Sequence, residues 1–461
     1  MTLMKLPHHY SPIHTNVHLL NWGHVDFSPE AERILPILDA AILVISGTDG
    51  IQAHTVTLWK LLQQYRVPTF LFINKMDLPG MEQEKLMTQL QEQLSPACVD
   101  FGMEPEEIAE AAAMCDEALL ENYLESGTVT EGNIRQLIEK RKLFPCCFGS
   151  ALKLEGVEAF AEGFRAIFPQ CEMHKVTIAD GGEGTVDALV ETLGGEYVEA
   201  LVSDPLHRPT KARYGIIEGD TAVIEMAAAS GLTLLKAEER NPLLTSTYGT
   251  GELILDALNR GCRKFLVGIG GSATNDGGTG MLRALGFRFL DSEGNALQSG
   301  GEILEKIARI DDSEVCQEVR ESSFTVACDV TNPLYGERGA AYVYAPQKGA
   351  DAKMVEQLDR GLRNFARVVE EFNGAQIGTL EGAGAAGGLG GGFKALLGAT
   401  LERGITMVLD AMHFDEIIAG SDLVITGEGK IDRQSLFGKA ISGVARAAAK
   451  GSVPVICFVG C

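Results

Sequence analysis

Between Ala40 and Gly149 the chain alternates short apolar runs with amphipathic stretches. AAILVIS (40–46) and VPTFLFI (67–73) have the length and continuity of buried strands, and HTVTLWKLLQQY between them spaces its apolar residues as a helix does. Residues 81–142 are charged with a helical period, in MEQEKLMTQLQEQL and EEIAEAAAMCDEALLENYL, before LFPCCFG returns as a strand. Strands that alternate with helices predict a parallel sheet, because a parallel neighbour requires a long crossover.

Past Glu155 the pattern changes. Most of the 53 glycines lie there, and three times an apolar run ends in a glycine-rich acidic turn before a helical stretch. The corners are VTIAD-GGEGT-VDALVETL, KFLVGIG-GSATNDGGTG-MLRALG and DLVITG-EGKIDRQS-LFGKAISGVARAAA, too different for a tandem repeat. In parallel sheets such turns follow the strand carboxyl ends and line the ligand crevice, with free helix N–H groups facing it.

Each corner also carries carboxylates: Asp180 and Glu183, Asp276 beside Asn275, and Glu428 with Asp432. Bare carboxylates repel a polyphosphate, so converging with one they need a magnesium ion between, or a substrate proton to take. The combination is kinase-like, and Lys348 in APQKGA, Lys430, Arg433 and Lys439 are placed to neutralise a transferred phosphoryl group. Any one of these turns read alone is simply a tight turn with a helix cap. GAGAAGGLGGG (382–392) reads either as a flexible linker or as a loop of close backbone approach. TSTYGTGELI (245–254) reads as a helix start or a substrate hydroxyl contact, and Asp329 in VACDVTNPL as a catalytic group or a turn cap before Pro333.

Bulk composition narrows the field. A chain of 461 residues with 45% hydrophobic and 22% charged content is globular and long enough for two or three domains. With 63 acidic against 39 basic residues the net charge is −24, which offers no broad attraction to nucleic acid or anionic membrane. No apolar run reaches the roughly 20 residues of a membrane helix and the start lacks a signal-peptide core, so a cytoplasmic location is expected. Ten cysteines without a C-x-x-C pair are expected to be reduced core thiols. The early histidines, His8, His9, His14, His18 and His24, lack the periodicity of a metal site.

FINKMD sets Asn74, Lys75 and Asp77 directly after an apolar strand, where an amide and a carboxylate can read the edge of guanine. GHVDF (23–27) precedes it and GSALKLEG (149–156) follows, in the order a GTPase uses them. On these segments residues from about 20 to 160 resemble the G domain of translational GTPases, near elongation factor G and the tetracycline-resistance ribosomal protection proteins. The resemblance implies that His24 positions the attacking water, that Asn74, Lys75 and Asp77 form the base-reading motif, and that Ser150 and Ala151 form the loop behind the base. The chain departs from the pattern where phosphate and magnesium would be held. It has no G-x-x-x-x-G-K-[ST] and no switch threonine, and Leu20, Asn21 and Trp22 stand where the family has Asp-Thr-Pro. Phosphate and metal contacts dominate such sites, so a vestigial guanine site is expected, without GTP hydrolysis or ribosome binding.

IADGGEGT, IEMAAASGL, TSTYGTGELI, GIGGSATNDGGTGML, ACDVTNPL, PQKGA, GAAGGLG and ITGEGKIDRQSLFGKA run in the order of the bacterial glycerate kinase family, which the chain resembles from about residue 160 onward. The resemblance implies ATP-dependent phosphorylation of glycerate with Mg2+, in a cleft between two α/β lobes. Under it Asp180 or Asp276 is the base or metal-linked carboxylate and Lys348 a charge stabiliser, while Gly181, Gly182, Glu183, Gly270, Gly271, Ser272, Asn275, Asp329 and Lys430 face substrate or nucleotide. Glu428 and Asp432 are the implied metal contacts. Here too the pattern is incomplete: the family's opening P-D-S-F-K-G-S and closing segments are missing, and His207 replaces a usual turn glycine. Impaired activity is therefore expected.

The expected fold class is α/β, an incomplete P-loop-GTPase-like parallel sheet followed by a two-domain α/β glycerate-kinase-like module. The expected division is an unstructured or non-native leader at 1–19, a truncated G domain at 20–158 and the kinase-like module at 159–461. Small-molecule kinase is the leading reading, with glycerate as partner and ATP and Mg2+ as cofactors. A guanine-nucleotide binder and a fusion without function are the alternatives.

Overall fold

A computed structural model describes residues 2–5, 41–150, 156, 172–421, 423–428, 440–451, 453 and 455–459. These fall into two compact units, one drawn from Met1–Lys175, Ile418–Phe437 and Val444–Cys461, the other from Val176–Ile417 and Gly438–Gly443.

In the first unit, strand β1 (Thr2–Lys5) lies within the leader, where no structure was expected. After it come β2 (Ala41–Ser46), α1 (Ala53–Gln64), β3 (Thr69–Asn74), α2 (Gln83–Gln93), β4 (Cys98–Asp100), α3 (Pro105–Ala113), α4 (Glu117–Ser126), α5 (Glu131–Glu139) and β5 (Phe144–Phe148). The sheet runs β2-β3-β5-β4 with every pairing parallel. Central β3 is buried at all six positions, and its side chains alternate between two cores. Phe70 and Phe72 pack with Leu119, Leu137 and Ile138, while Leu71 and Ile73 pack with Trp59, Leu90 and Phe144. Each such side chain contributes about 1.5–3 kcal/mol of burial. The helical period over 106–124 becomes two helices because the Asp116 carboxylate accepts from Leu119 N (3.2 Å) and starts α4 afresh.

The second unit follows β6 (Glu172–Lys175) and begins with an extended segment and α6 (Thr185–Leu193). Its further strands are β7 (Glu196–Ser203), β8 (Pro209–Ile217), β9 (Thr221–Glu225), β10 (Lys264–Gly268), a separate ribbon of β11 (Arg288–Leu290) with β12 (Arg309–Asp311), β13 (Ser323–Ala327) and β14 (Thr400–Glu402). The main sheet runs β14-β13-β10-β9-β8-β7; the four strands from β14 to β9 are parallel and the β8–β7 end is antiparallel. Against it lie α7 (Tyr248–Asn259), α10 (Ala385–Leu396) and α11 (Gly404–Ala411), while α8 (Thr279–Ala284) packs on α7, α10 and β11, and α9 (Ala352–Asn373) on α10 and β12. Helix α9 starts where the Asp351 side chain accepts from Met354 N (2.9 Å), and buries Val355, Leu358, Leu362, Phe365 and Val369 at helical spacing. The hairpin residue His207 has φ of +61°, the left-handed conformation that the sequence marked as strained there.

One sequence expectation changes. VTIAD is not a strand: β6 ends at Lys175, and at the far end of the segment Asp180 and Gly181 meet Gly404, Ala327 and Gly268. The third corner belongs to the first unit, where β15 (Leu423–Glu428) and, after α12 (Ala440–Lys450), β16 (Val455–Val459) form a sheet of order β16-β15-β1-β6. All seven cysteines whose side chains are described are free thiols; Cys98, Cys146, Cys147 and Cys262 are the expected core thiols, whereas Cys316 is exposed, and burial pushes Cys147 up to about 12. The early histidine cluster lies outside the described residues.

Candidate functional site

The parallel strands β9, β10, β13 and β14 end on one edge of the second unit's sheet, and the acidic turn Asp180-Gly-Gly-Glu-Gly is seated across it. What seats it is an interlock of glycines. A Cβ on Gly404, the first residue of α11, would stand 1.8 Å from Asp180 O, and one on Gly181 would stand 2.5 Å from the Ala327 Cβ at the end of β13. Gly181 also has φ of +87°, which side chains resist. Behind the turn, Glu225 at the end of β9 accepts Val186 N through Oε1 (2.9 Å) and fixes the start of α6; burial pushes its carboxyl up.

Asp180, Glu183, Asp329 and Arg403 open to solvent along this edge. Asp329, two residues past β13, accepts Gly404 N on Oδ1 (3.0 Å). The protein packed around Asp329 pushes its carboxyl up, and nearby Asp180 acts in the same direction; Gly404 N–H and Arg403 oppose them. The result is two carboxylates within electrostatic reach of one another, one of them accepting a backbone donor, beside an arginine.

The second corner is built differently. Gly270 and Gly271 are exposed, but from Ser272 to Gly280 the turn is buried. One side pairs with the ASGL segment, through Ala273 N to Ser230 O (2.9 Å) and Leu232 N to Gly271 O (2.9 Å). From another side, Lys348 Nζ donates to Ser272 Oγ and to Thr274 O, both at 2.6 Å. Asp276 is fully enclosed, and its oxygens accept Thr247 N (2.8 Å), Thr247 Oγ1 (2.8 Å), Gly280 N (3.2 Å) and Gly278 N (3.1 Å). Its acceptor sites are used internally, so the Asp276 of this geometry fixes the turn to Thr247 and to α8. Burial pushes its carboxyl up and those four bonds oppose the shift. Asn275 is fully buried, yet among the described residues neither end of its amide has a hydrogen-bond partner, nor has Thr274 Oγ1.

The glycine-rich stretch 382–392 is not a linker. Most of it lies in α10, interrupted by three left-handed residues, Ala386, Gly387 and Gly388, and a Cβ on Gly387 would stand 2.1 Å from Thr274 O. Its glycines let one backbone press on another, the close-approach reading, with protein rather than ligand as neighbour. Thr245, Ser246 and Thr247 have no exposed surface, so the segment is a helix start packed beneath the turn.

The structure thus brings Asp180, Gly181, Gly182, Glu183 and Asp329 to one edge, and gathers Ser272, Asn275, Asp276 and Lys348 into one buried cluster. Glu428 ends β15 in the other unit; its side chain, with Lys430 and Asp432, lies outside the described residues. Sequence reading missed Glu225 and Arg403. For Glu225 the signal was a single charge closing an apolar run, in TAVIE; TLER gave none for Arg403.

In the first unit Asn74 is buried, its Oδ1 accepts Lys75 N (2.8 Å), and Met76 N reaches Gly149 O (3.0 Å) beside buried Ser150. The base-reading loop and the loop behind it therefore meet. His24 and Ala151 lie outside the described residues.

Sequence comparison connects both regions to known proteins. The profile of the Elongation factor Tu GTP binding domain matches residues 20–194, and that of the Glycerate kinase family matches residues 147–461. The Glycerate kinase of Bacillus subtilis (strain 168) is 50% identical over 308 residues, 67% of this chain and 81% of that protein. The Glycerate 2-kinase of Escherichia coli (strain K12) is 47% identical over 307 residues, 66% of this chain and 81% of that protein. A crystal structure described as a glycerate kinase 2 from Salmonella typhimurium LT2 superposes with a TM-score of 0.64 at 46% identity, covering 67% of this chain and 83% of that one. The chain carries a G-domain-like segment and, with over half its length matched, belongs to the glycerate kinase family.

Proposed function

We propose that this chain transfers the γ-phosphoryl group of ATP to a hydroxyl of glycerate, with the second unit's strand-end edge as the reaction site. The observation that carries the reading is the pairing of Asp329 and Asp180 at that edge, seated by Gly404. In the reaction the hydroxyl oxygen forms a bond to Pγ, the bond from Pγ to the bridging oxygen breaks, and the hydroxyl proton is accepted by a carboxylate. Asp329 suits that role, because a raised carboxylate is a stronger base and Gly404 N–H aims one oxygen while leaving the other. Arg403 offers positive charge to the phosphoryl oxygens. The exposed Gly270–Gly271 backbone offers a surface that phosphates can approach without side-chain obstruction.

Among the described residues no three side chains form a metal cluster. Mg2+ uses only one or two carboxylates and completes its shell with phosphate and water, so Asp180, at the same edge as Asp329, fits it and leaves Asp329 to act as the base. Bound there, the ion would neutralise phosphate charge; the Glu428 side chain and Asp432, the other metal contacts implied by the resemblance, lie outside the described residues. Asp276 and Lys348 act on the geometry of the turn. The E. coli relative is a Glycerate 2-kinase, and we take the 2-hydroxyl as the acceptor.

The test is glycerate-dependent ADP release by the full chain with magnesium chloride, with the phosphate position read by phosphorus NMR. A 2-phosphate signal is expected. No glycerate-dependent release from a folded protein would refute the reading, and a 3-phosphate product would refute its regiochemistry.

A further inference from the structure

Lys348 closes the one-turn helix Pro346–Lys348, is 2% exposed, and bonds to two neutral acceptors, Ser272 Oγ and Thr274 O. The charged group within its electrostatic reach is Asp276, whose oxygens are occupied by Thr247, Gly278 and Gly280. Arg283 faces that same Asp276, and Arg240 packs on the neighbouring Gly349. A buried ammonium bonded only to neutral groups is costly, and burial lowers Lys348 to about 7 although Asp276 opposes the shift. Ser272 lies at the boundary between this interior and the exposed Gly270 and Gly271. Next to it, Thr274 Oγ1 and the Asn275 amide are buried without hydrogen-bond partners among the described residues, so the turn is not at its hydrogen-bonding optimum as it stands.

We infer that Lys348 is a positioning residue acting through Ser272: a polyphosphate seated on the Gly270–Ser272 turn draws a proton from solvent onto the Lys348 amine, and the resulting ammonium holds Ser272 Oγ and Thr274 O in place. The inference rests on the phosphotransfer reading and adds to it a coupling between ligand binding and proton uptake. The anion supplies the counter-charge that the neutral acceptors do not, so binding favours the charged lysine.

Calorimetric titration of the full chain with ADP and magnesium chloride, at about pH 8 in two buffers of different ionisation enthalpy, reads the proton directly. At that pH the terminal phosphate is ionised, its second pKa being about 6, and most of Lys348 is neutral. Wild type is expected to take up about half a proton or more per ADP bound. Lys348→Arg is expected to bind ADP within about tenfold of wild type with no uptake, because guanidinium is charged throughout. Lys348→Met should also lose the uptake, and Ser272→Ala should keep it. ADP binding by wild type without uptake, or uptake that persists in both Lys348 variants, overturns the inference. No ADP binding by folded wild type overturns the phosphotransfer reading and this inference together, an outcome that the glycerate assay separates from loss of linkage alone.

Discussion

The chain holds two parallel α/β sheets whose strand ends carry turns of recognisable chemistry, and the turns differ in how their polar groups are satisfied. At Asn74 and Gly149 the loops bond to one another: Gly47 N to Asn74 O (2.8 Å), Lys75 N to Asn74 Oδ1 (2.8 Å), Met76 N to Gly149 O (3.0 Å). At the ends of β9, β10 and β13 the protein sets Asp180 within electrostatic reach of Asp329, bonds an enclosed lysine to neutral acceptors and, among the described residues, leaves a buried amide unpaired. These arrangements cost stability and persist where surrounding structure enforces them. Two similar sheets therefore separate by chemistry: one edge is settled, and the other is poised for a ligand.

The comparison breaks first at the carboxylates. Asp329→Asn is expected to lower kcat for glycerate phosphorylation by about 10²–10⁴-fold, the usual span for losing a general base. The base must be ionised, so activity falls as pH drops through a value above the ordinary carboxylate range. Asp180→Asn removes one of the influences raising Asp329, and its residual activity should show that acid limb at lower pH. A wild-type limb in the ordinary range, or turnover intact in Asp329→Asn, removes Asp329 from the role.

Next in size is Gly404→Ala, whose new methyl meets Asp180 O at 1.8 Å. Overpacking costs about 1–3 kcal/mol. A displacement of about 1 Å at the reacting groups costs roughly 10²-fold in rate. Both the thermal midpoint and kcat should fall, while KM for glycerate changes less. A variant with wild-type kcat would show that the interlock does not set the geometry of the site.

Much of this was legible from sequence because short-range pattern decides it. The apolar runs at 40–46, 67–73 and 143–149 became β2, β3 and β5, and the turn after KFLVG fell where expected. VTIAD misled because a β-branched run favours extended backbone whether or not it finds a ladder, and here β6 stops at Lys175, just before it. GAGAAGGLGGG stayed ambiguous because its partner, Thr274, is over a hundred residues away in sequence. Lys348 could be noticed but not placed: APQKGA gives no sign that the side chain is enclosed. Glu225 and Arg403 gain meaning only once four strands end together.

Lys348 offers a smaller effect with a definite sign. Its amine titrates at about 7 in the folded protein against an ordinary value of 10.5. Between those values the unfolded chain binds more protons, so the folded state gains stability as pH rises, at no more than ~1.4 kcal/mol per pH unit. Below the lower value both states hold the proton and the burial cost is felt in full. The thermal midpoint of wild type relative to Lys348→Met should therefore climb between pH 7 and 9, by roughly 2–4 °C per kcal/mol. Parallel curves would mean that the lysine stays charged throughout.

The smallest expected effect tests the settled edge. Asn74, Lys75 and Asp77 follow β3 as a base-reading loop would, and Ser150 closes behind them, yet no glycine-rich lysine loop occurs in the sequence to hold phosphate. Base contacts alone leave most nucleotide affinity unrealised, because phosphate and metal contacts supply it. Titration with labelled GDP should give weak binding, and Asp77→Ala should change it by less than about twofold, since one base contact on a poorly held ligand contributes little. Tight GDP binding that Asp77→Ala abolishes would overturn the contrast, because it would make the strand ends at Asn74 a working nucleotide site alongside the one at Asp180 and Asp329.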